Sequence, residues 1–367
     1  MRLEICARRV YNIFMKKYFE IAKEKFEALK TKKDVVVLGI ESSCDETSVS
    51  LVKNGREILA NVVATQIEIH KRFGGVVPEV ASRNHILAIT NVFEECLAKA
   101  NMTAGDIDAV AVTFGAGLVG ALLVGVNFAK ALSYALNLPL IAVSHIDGHI
   151  AANFLSHPNL KPPFLCLMVS GGHTALLDVQ DYATRTLLGS TIDDAVGECF
   201  DKVARVLGLP YPGGVQIDRL AKVGAENITF LKHEVLPNTL NFSFSGLKTA
   251  VINYVHTQKQ KNQEIALSDV AASFQKTAVA QLVGKTIAAA KQVGQKNVVI
   301  AGGVGANSGL QRALGDACAR EDITLFHPNL ALCTDNAAMI ASAGYYYIRA
   351  GRGLADLDLT ASPVVKL

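Results

Sequence analysis

Long uninterrupted apolar runs are missing: no stretch of the 367 residues reaches the ~18 apolar positions that a membrane-spanning helix needs. The longest candidate, AVTFGAGLVGALLVGVNFAKALSYAL, is interrupted by glycines that suit a close-packed helix start. A CxxC pair is absent too. The seven cysteines are odd in number and scattered, which argues against a disulfide framework or a zinc ribbon and points to a reducing compartment. The N-terminal segment lacks the apolar core of a secretory signal, and Glu4, Glu20, Glu24 and Glu27 are foreign to a mitochondrial presequence. A cytoplasmic chain with no membrane partner is therefore expected.

What is present is a chain 50% hydrophobic and 19% charged, enough apolar material for sizeable cores in two or three domains. The formal charge of +3 is unevenly spread. Residues 1–34 carry ten Lys and Arg against five Asp and Glu, a net +5, so the rest of the chain stands at −2 and could bind nucleic acid only through a local patch. Residues 1–34 read as a basic amphipathic extension, solvated or upstream of an alternative start at Met15. Residues 35–160 and 161–367 read as two α/β domains.

That division rests on an internal repeat. DVVVLGIESSCDETSVSLVKNGREILANVVAT reads as a strand, a polar turn, and two further strands joined at Asn54 and Gly55. FLCLMVSGGHTALLDVQDYATRTLLGST repeats the plan around Ser170 to Thr174. Each unit is followed by a strand, a glycine-rich turn and a helix: DAVAVTFGAGLVGALLVGVNFAKAL in the first half, NVVIAGGVGANSGLQRALGDA in the second. Two such halves imply a cleft floored by strand ends and glycine turns, suited to a nucleotide. Gly115, Gly117 and Gly120 match G-x-G-x-x-G, but the acid that a dinucleotide site wants at the end of the next strand is not there, since PLIAVSH ends in His145.

His145 and His149 stand four apart in HIDGHIAANF and share one face of a helix, a spacing that lets two imidazoles converge on a metal ion. A zinc peptidase would need a glutamate where Ile146 stands. Two ordinary polar groups at a helix start would read the same way.

The motifs VLGIESSCDETSVSLV, GGVVPEVASRNH, HIDGHIAANF, MVSGGHTALL, IDDAVGECFDKVARVLGLPYPGG, FSFSGLKTA, AGGVGANSGL and CTDNAAMIA, in this order, resemble the TsaD (Kae) family of threonylcarbamoyl transferases from about Val35 to about Gly351. The resemblance implies the fold of the actin, sugar kinase and Hsp70 (ASKHA) superfamily, two duplicated α/β domains around a nucleotide cleft. It implies transfer of threonylcarbamoyl from threonylcarbamoyl-AMP to the N6 amine of the adenosine beside the anticodon, in tRNAs reading codons that begin with adenine, with release of AMP. It assigns His145, His149 and Asp335 to one divalent metal ion, iron(II) ahead of zinc, with the imidazoles from the first half and the carboxylate from the second. Contacts to the adenylate carry over to Met168, Val169, Ser170, Gly171, Gly172, Asp201, Gly214 and Asn307.

Chemistry adds further candidates. An adenine amine is a weak nucleophile, so the site must also orient it and take its proton; Asp45 and Glu46 in ESSCDET are the catalytic candidates. Lys248 is placed either against an anionic group or at a helix cap, and Glu79, Arg83 and His85 on an RNA or partner surface. The stretches VFEECLAKA and ALLVGVNFAKAL suit either the core or a partner face. Partners implied by the resemblance are tRNA, an adenylate-forming synthase upstream, and, in bacteria, a shorter paralogue of the same fold with a small P-loop ATPase; mitochondrial members resemble a self-sufficient homodimer. A metallopeptidase, a small-molecule kinase and an Hsp70-like chaperone are the rival readings. The first lacks its glutamate and the third a peptide-binding domain, while the second would need a catalytic acid placed for a hydroxyl and would show as ATP consumption driven by a sugar or acid.

Overall fold

A computed structural model describes residues 17–233 and 235–366. Eleven strands occur among them: β1 (Val36–Glu41), β2 (Glu46–Lys53), β3 (Glu57–Thr65), β4 (Ala109–Gly115), β5 (Leu140–Ser144), β6 (Phe164–Val169), β7 (Thr174–Val179), β8 (Arg185–Ser190), β9 (Asn297–Ala301), β10 (Thr324–Phe326) and β11 (Leu354–Ala355). The chain divides into two compact units. One holds the described residues up to Gln66 with Val77–Pro158 and Asp335–Lys366; the other holds Ile67–Val76 and Asn159–Thr334.

The first unit is built on a six-stranded sheet of order β11-β5-β4-β1-β2-β3. β1, β2 and β3 form an antiparallel meander, with β4 parallel to β1 and β5 parallel to β4. The tight β2–β3 turn falls at Asn54 and Gly55, both at positive φ, as a two-residue hairpin demands. Alternation along β1 sends its side chains to two faces. Leu38 and Ile40 pack with Ile89 and Val92 of the helix Pro78–Ala100 and with Val126 and Ala129 of the helix Val119–Leu136. Gly39 faces the other way, onto the helix Ala337–Arg349, where a Cβ would lie 2.1 Å from the carbonyl oxygen of Ala337.

The second unit has a five-stranded sheet of order β10-β9-β6-β7-β8. Again the first three strands form an antiparallel meander and two parallel strands follow on the other side. Its core joins Leu165, Leu167 and Val169 of β6 to Phe200, Phe242, Phe244 and Phe274. The duplication expected from the sequence is thus present over five strands of each sheet, β11 being an addition to the first. The segment Asp335–Lys366, grouped by sequence with the second half, instead packs with the first unit.

Two more expectations change. Val119–Leu136 is one continuous helix of 18 residues with mean hydropathy 1.5, long and apolar enough to cross a membrane, so Gly120 and Gly125 do not interrupt it. Its buried positions, including Ala121, Leu122 and Val126, are committed to the sheet, and the stretches VFEECLAKA and ALLVGVNFAKAL contribute Val92, Cys96, Val126 and Ala129 to the same core. Residues 17–29 are helical and docked rather than solvated. Tyr18, Ala22, Phe26 and Leu29 recur at helical spacing and are buried, and the Tyr18 hydroxyl donates to the Leu138 carbonyl at 2.9 Å. Arg349 donates to the carbonyls of Leu29, Lys30 and Lys32, and Lys32 pairs with Asp108 at 2.6 Å. Residues 1–16 of the expected extension lie outside the described residues.

Candidate metal centre and ligand turns

β5 ends at Ser144 and the next residue opens the helix His145–Ser156, so both histidines stand in its first turns on one buried face. Asp335 immediately precedes Asn336, whose side chain caps the helix Ala337–Arg349 by accepting the Met339 N–H at 3.2 Å. The two helices meet through Gly148, where a Cβ would come within 2.6 Å of Ile340, and the Tyr347 hydroxyl donates to Asp147. This close packing sets the site. Asp335 Oδ1 lies 3.4 Å from His145 Nε2 and 3.2 Å from His149 Nε2, and the two Nε2 atoms are 3.1 Å apart. All three residues belong to the first unit, which corrects the expectation that the carboxylate comes from the other half.

The donor set fits a divalent cation. Bonds of about 2.1 Å place neighbouring ligand atoms roughly 3.0–3.4 Å apart in octahedral or tetrahedral geometry, the spacing found here. The charges also interact strongly. Burial alone would push the Asp335 carboxyl up, but His145 and the hydrogen bond from His149 hold it down at about 2. Burial alone would lower His145, yet Asp335 and Glu41 raise it to about 9.

Asp45 ends the turn after β1 and Glu46 opens β2, close enough to Asp335 to feel its charge. Burial, followed by the charges of Asp335 and Asp45, pushes Glu46 up to about 9. Three carbonyls of the turn are each held: Ser43 by the Leu118 N–H at 2.8 Å, Cys44 by His85 Nε2 at 2.9 Å, and Asp45 by the Gln66 N–H at 2.9 Å. Glycines let the neighbouring chain close on it, since a Cβ at Gly117 would lie 2.6 Å from the Ser43 oxygen and one at Gly125 2.5 Å from the Ser42 hydroxyl. This packing accounts for Gly117 of the G-x-G-x-x-G pattern without a dinucleotide. His85, expected on a surface, is fully buried, its Nδ1 2.7 Å from the Thr47 hydroxyl. Glu79 and Arg83 are exposed and paired with each other at 2.7 Å.

In the second unit Met168 and Val169 end β6 with buried side chains, and the Ser170 hydroxyl accepts the His173 N–H at 3.1 Å. Gly171 and Gly172 are exposed, with nothing within 4 Å of a Cβ. Around them gather the helix Val196–Val206, whose Gly197 approaches the Ser170 carbonyl, and the turn at Gly302, which approaches the Val169 carbonyl. Asp201 accepts the N–H groups of Gly213 and Gly214 at 2.8 and 3.2 Å. Asn307 caps the helix Ser308–Arg320 through the Leu310 N–H and donates to Gln275 at 2.7 Å. Lys248 caps nothing; it pairs with Asp194 at 2.5 Å, while Asp193 accepts the N–H groups of Phe244 and Ser245 where the next helix starts. Glu41, clustered by the sequence with Asp45 and Glu46 in ESSCDET as acids that want positive charge nearby, was given no separate role; an acid closing a continuous apolar strand was the available signal for one.

An ASKHA-type α/β protein with a two-histidine, one-carboxylate centre is the class that fold and site define, and comparison with known proteins narrows it. A family model described as TsaD, tRNA N6-adenosine threonylcarbamoyltransferase, matches residues 57–342. The tRNA N6-adenosine threonylcarbamoyltransferase of Bacillus subtilis (strain 168) is 57% identical over 332 residues, 90% of this chain and 96% of that protein. That of Clostridioides difficile (strain 630) is 52% identical over 335 residues, 91% and 99% of the two chains. The chain belongs to the TsaD family. Among solved structures, T. kodakarensis HypF superposes with a TM-score of 0.60 at 14% identity, covering 89% of this chain and 49% of that one. Component A of the Acidaminococcus fermentans (R)-2-hydroxyglutaryl-CoA dehydratase gives 0.51 at 17%, covering 86% and 99%. At these identities the likeness concerns the fold.

Proposed function

We propose that this chain transfers the threonylcarbamoyl group of threonylcarbamoyl-AMP to the N6 amine of the adenosine beside the anticodon of tRNAs reading codons that begin with adenine. The observation that carries the reading is the trio His145, His149 and Asp335 beside the acidic turn of Asp45 and Glu46, in a chain more than half identical to named transferases. In the reaction the amine nitrogen bonds to the carbamoyl carbon, the bond from that carbon to the phosphate oxygen breaks, AMP leaves, and the amine proton passes to a base. His145, His149 and Asp335 would hold a divalent ion, and the chemistry it would supply is that of a Lewis acid. Asp45 and Glu46 orient the amine and accept its proton. Glu46, which holds its own proton at neutral pH beside two other acids, becomes an acceptor once positive charge stands among them.

The adenylate is assigned to Met168, Val169, Ser170, Gly171, Gly172, Asp201, Gly214 and Asn307. The two open glycines let backbone N–H groups meet phosphate oxygens, and Asp201 accepts from ribose or threonine hydroxyls. Iron(II) or zinc suits the donor set. A synthase forming the adenylate, a shorter paralogue of the same fold and a small ATPase are the proposed partners, and the cytoplasm the proposed location. Incubation with unmodified tRNA, threonine, bicarbonate and ATP, with and without those partners, tests the reading. Mass spectrometry of the digested tRNA should show threonylcarbamoyladenosine; its absence with every partner present refutes the proposal.

A further inference from the structure

Glu41 closes β1 with its side chain entirely out of solvent. A buried carboxylate is costly unless its oxygens are satisfied, and these are. Oε2 lies 3.2 Å from His145 Nδ1 and accepts the Thr113 hydroxyl at 2.6 Å; Oε1 accepts the Ser43 N–H at 2.5 Å. The Thr113 hydroxyl and the Ser43 N–H both donate to this carboxyl, so it accepts from His145 as well: Nδ1 carries the proton between the pair, and Nε2 is the ring nitrogen that faces His149 Nε2 and Asp335 Oδ1 and is left for a cation. The other histidine lacks such a guide: His149 Nδ1 is buried with no hydrogen-bond partner among the described residues.

We propose that Glu41 is the outer carboxylate of the metal centre, a positioning residue that fixes the tautomer and direction of His145 for a divalent cation held by His145, His149 and Asp335. The proposal rests on reading that trio as a metal site. Carboxylate–histidine–metal relays orient the ring and raise its basicity, and losing the outer partner weakens metal binding about 10- to 100-fold. Thr113 in β4 serves the same relay one step further out, by holding Oε2 in place. Glutamine at position 41 keeps the volume but turns one oxygen into a donor, which then faces the Ser43 N–H or the Thr113 and His145 side.

The full-length chain, freed of metal with a chelator, is titrated with cobalt(II) against a competing chelator, beside Glu41→Gln, Thr113→Val and His149→Ala. The unaltered chain should bind one ion. Glu41→Gln should bind about 10- to 100-fold more weakly with the cobalt ligand-field spectrum retained, Thr113→Val should weaken less in the same direction, and His149→Ala should change the spectrum. A folded Glu41→Gln with unchanged affinity overturns the proposal, as does a changed spectrum in that variant, which would make Glu41 a direct ligand. If Glu41→Gln fails to fold, unchanged affinity in Thr113→Val overturns it. If the unaltered chain binds no ion, the metal reading itself falls and the proposal with it.

Discussion

In the first unit the turn leaving the first strand carries Ser42, Ser43, Cys44 and Asp45, packed over by Gly117, Gly125 and His85; in the second, the turn at the same place carries Ser170, Gly171, Gly172 and His173 and its glycines stand open. The strands behind them differ in step. Two residues before the strand's end the first unit has Gly39, which admits the helix Ala337–Arg349 onto the sheet, whereas the second has Leu167, which fills its own core. One sheet plan therefore serves two uses. A glycine in the strand leads to a helix brought close, and with it Asp335 to the histidines; a leucine in the strand goes with glycines in the turn and an open loop.

Making the first strand like the second should have the largest effect. Gly39→Leu would drive a side chain into the Ala337 carbonyl, and overpacking against backbone with nowhere to retreat should cost more than about 3 kcal/mol and separate Asp335 from the histidines. Thermal unfolding and metal content should fall together; a stable variant with full metal would break the comparison. Next comes the helix at residues 17–29, an addition to the first unit, since in the second only the few residues from Asn159 lead directly into β6. Tyr18, Phe26 and Leu29 are buried on it, each contributing about 1.5–3 kcal/mol of apolar burial. A chain beginning at Lys32 should unfold several degrees earlier than the full chain. Equal melting of the two would mean the docking contributes nothing.

A smaller effect is expected from the packed acidic turn. Folding raises the Glu46 carboxyl to about 9, so its ionised form is disfavoured in the native state and stability should decline as pH rises from about 4.5 through 9. Glu46→Gln should remove that decline and raise the stability of the metal-free protein near pH 8. Denaturant midpoints at pH 5 and pH 8 check it, and a variant less stable at pH 8 would show that the acids are compensated. The open turn should be the most tolerant. Gly172→Val meets nothing within 4 Å, so stability should move by less than about 0.5 kcal/mol, while adenylate binding measured by calorimetry falls sharply. Unchanged binding would mean that the turn does not hold the nucleotide.

Much of this was legible from the residues. Alternation and turn chemistry gave both meanders, and Asn54-Gly55 marked its hairpin because few other pairs accept two positive φ values. The i, i+4 histidines pointed to one face because helical geometry is local. What the sequence concealed is long-range. Nothing local tells that Gly39 and Gly148 exist to let one helix approach, so the return of Asp335–Lys366 to the first unit could not be read. The same holds for His85, whose buried bonds reach Cys44 and Thr47 from a different element. The amphipathic character of residues 1–34 was visible, but its many charges suggested solvent; its buried face, Tyr18, Ala22, Phe26 and Leu29, is received by a surface that includes Leu138, far along the chain.

The central claim is that close helix packing in the first unit brings Asp335 to His145 and His149 to hold one metal ion. Elemental analysis of the purified chain and of Asp335→Ala, each loaded with iron(II) under anaerobic conditions and desalted, tests it most directly. One ion per chain is expected in the former and close to none in a variant of equal melting temperature. Full occupancy in the variant would contradict the account.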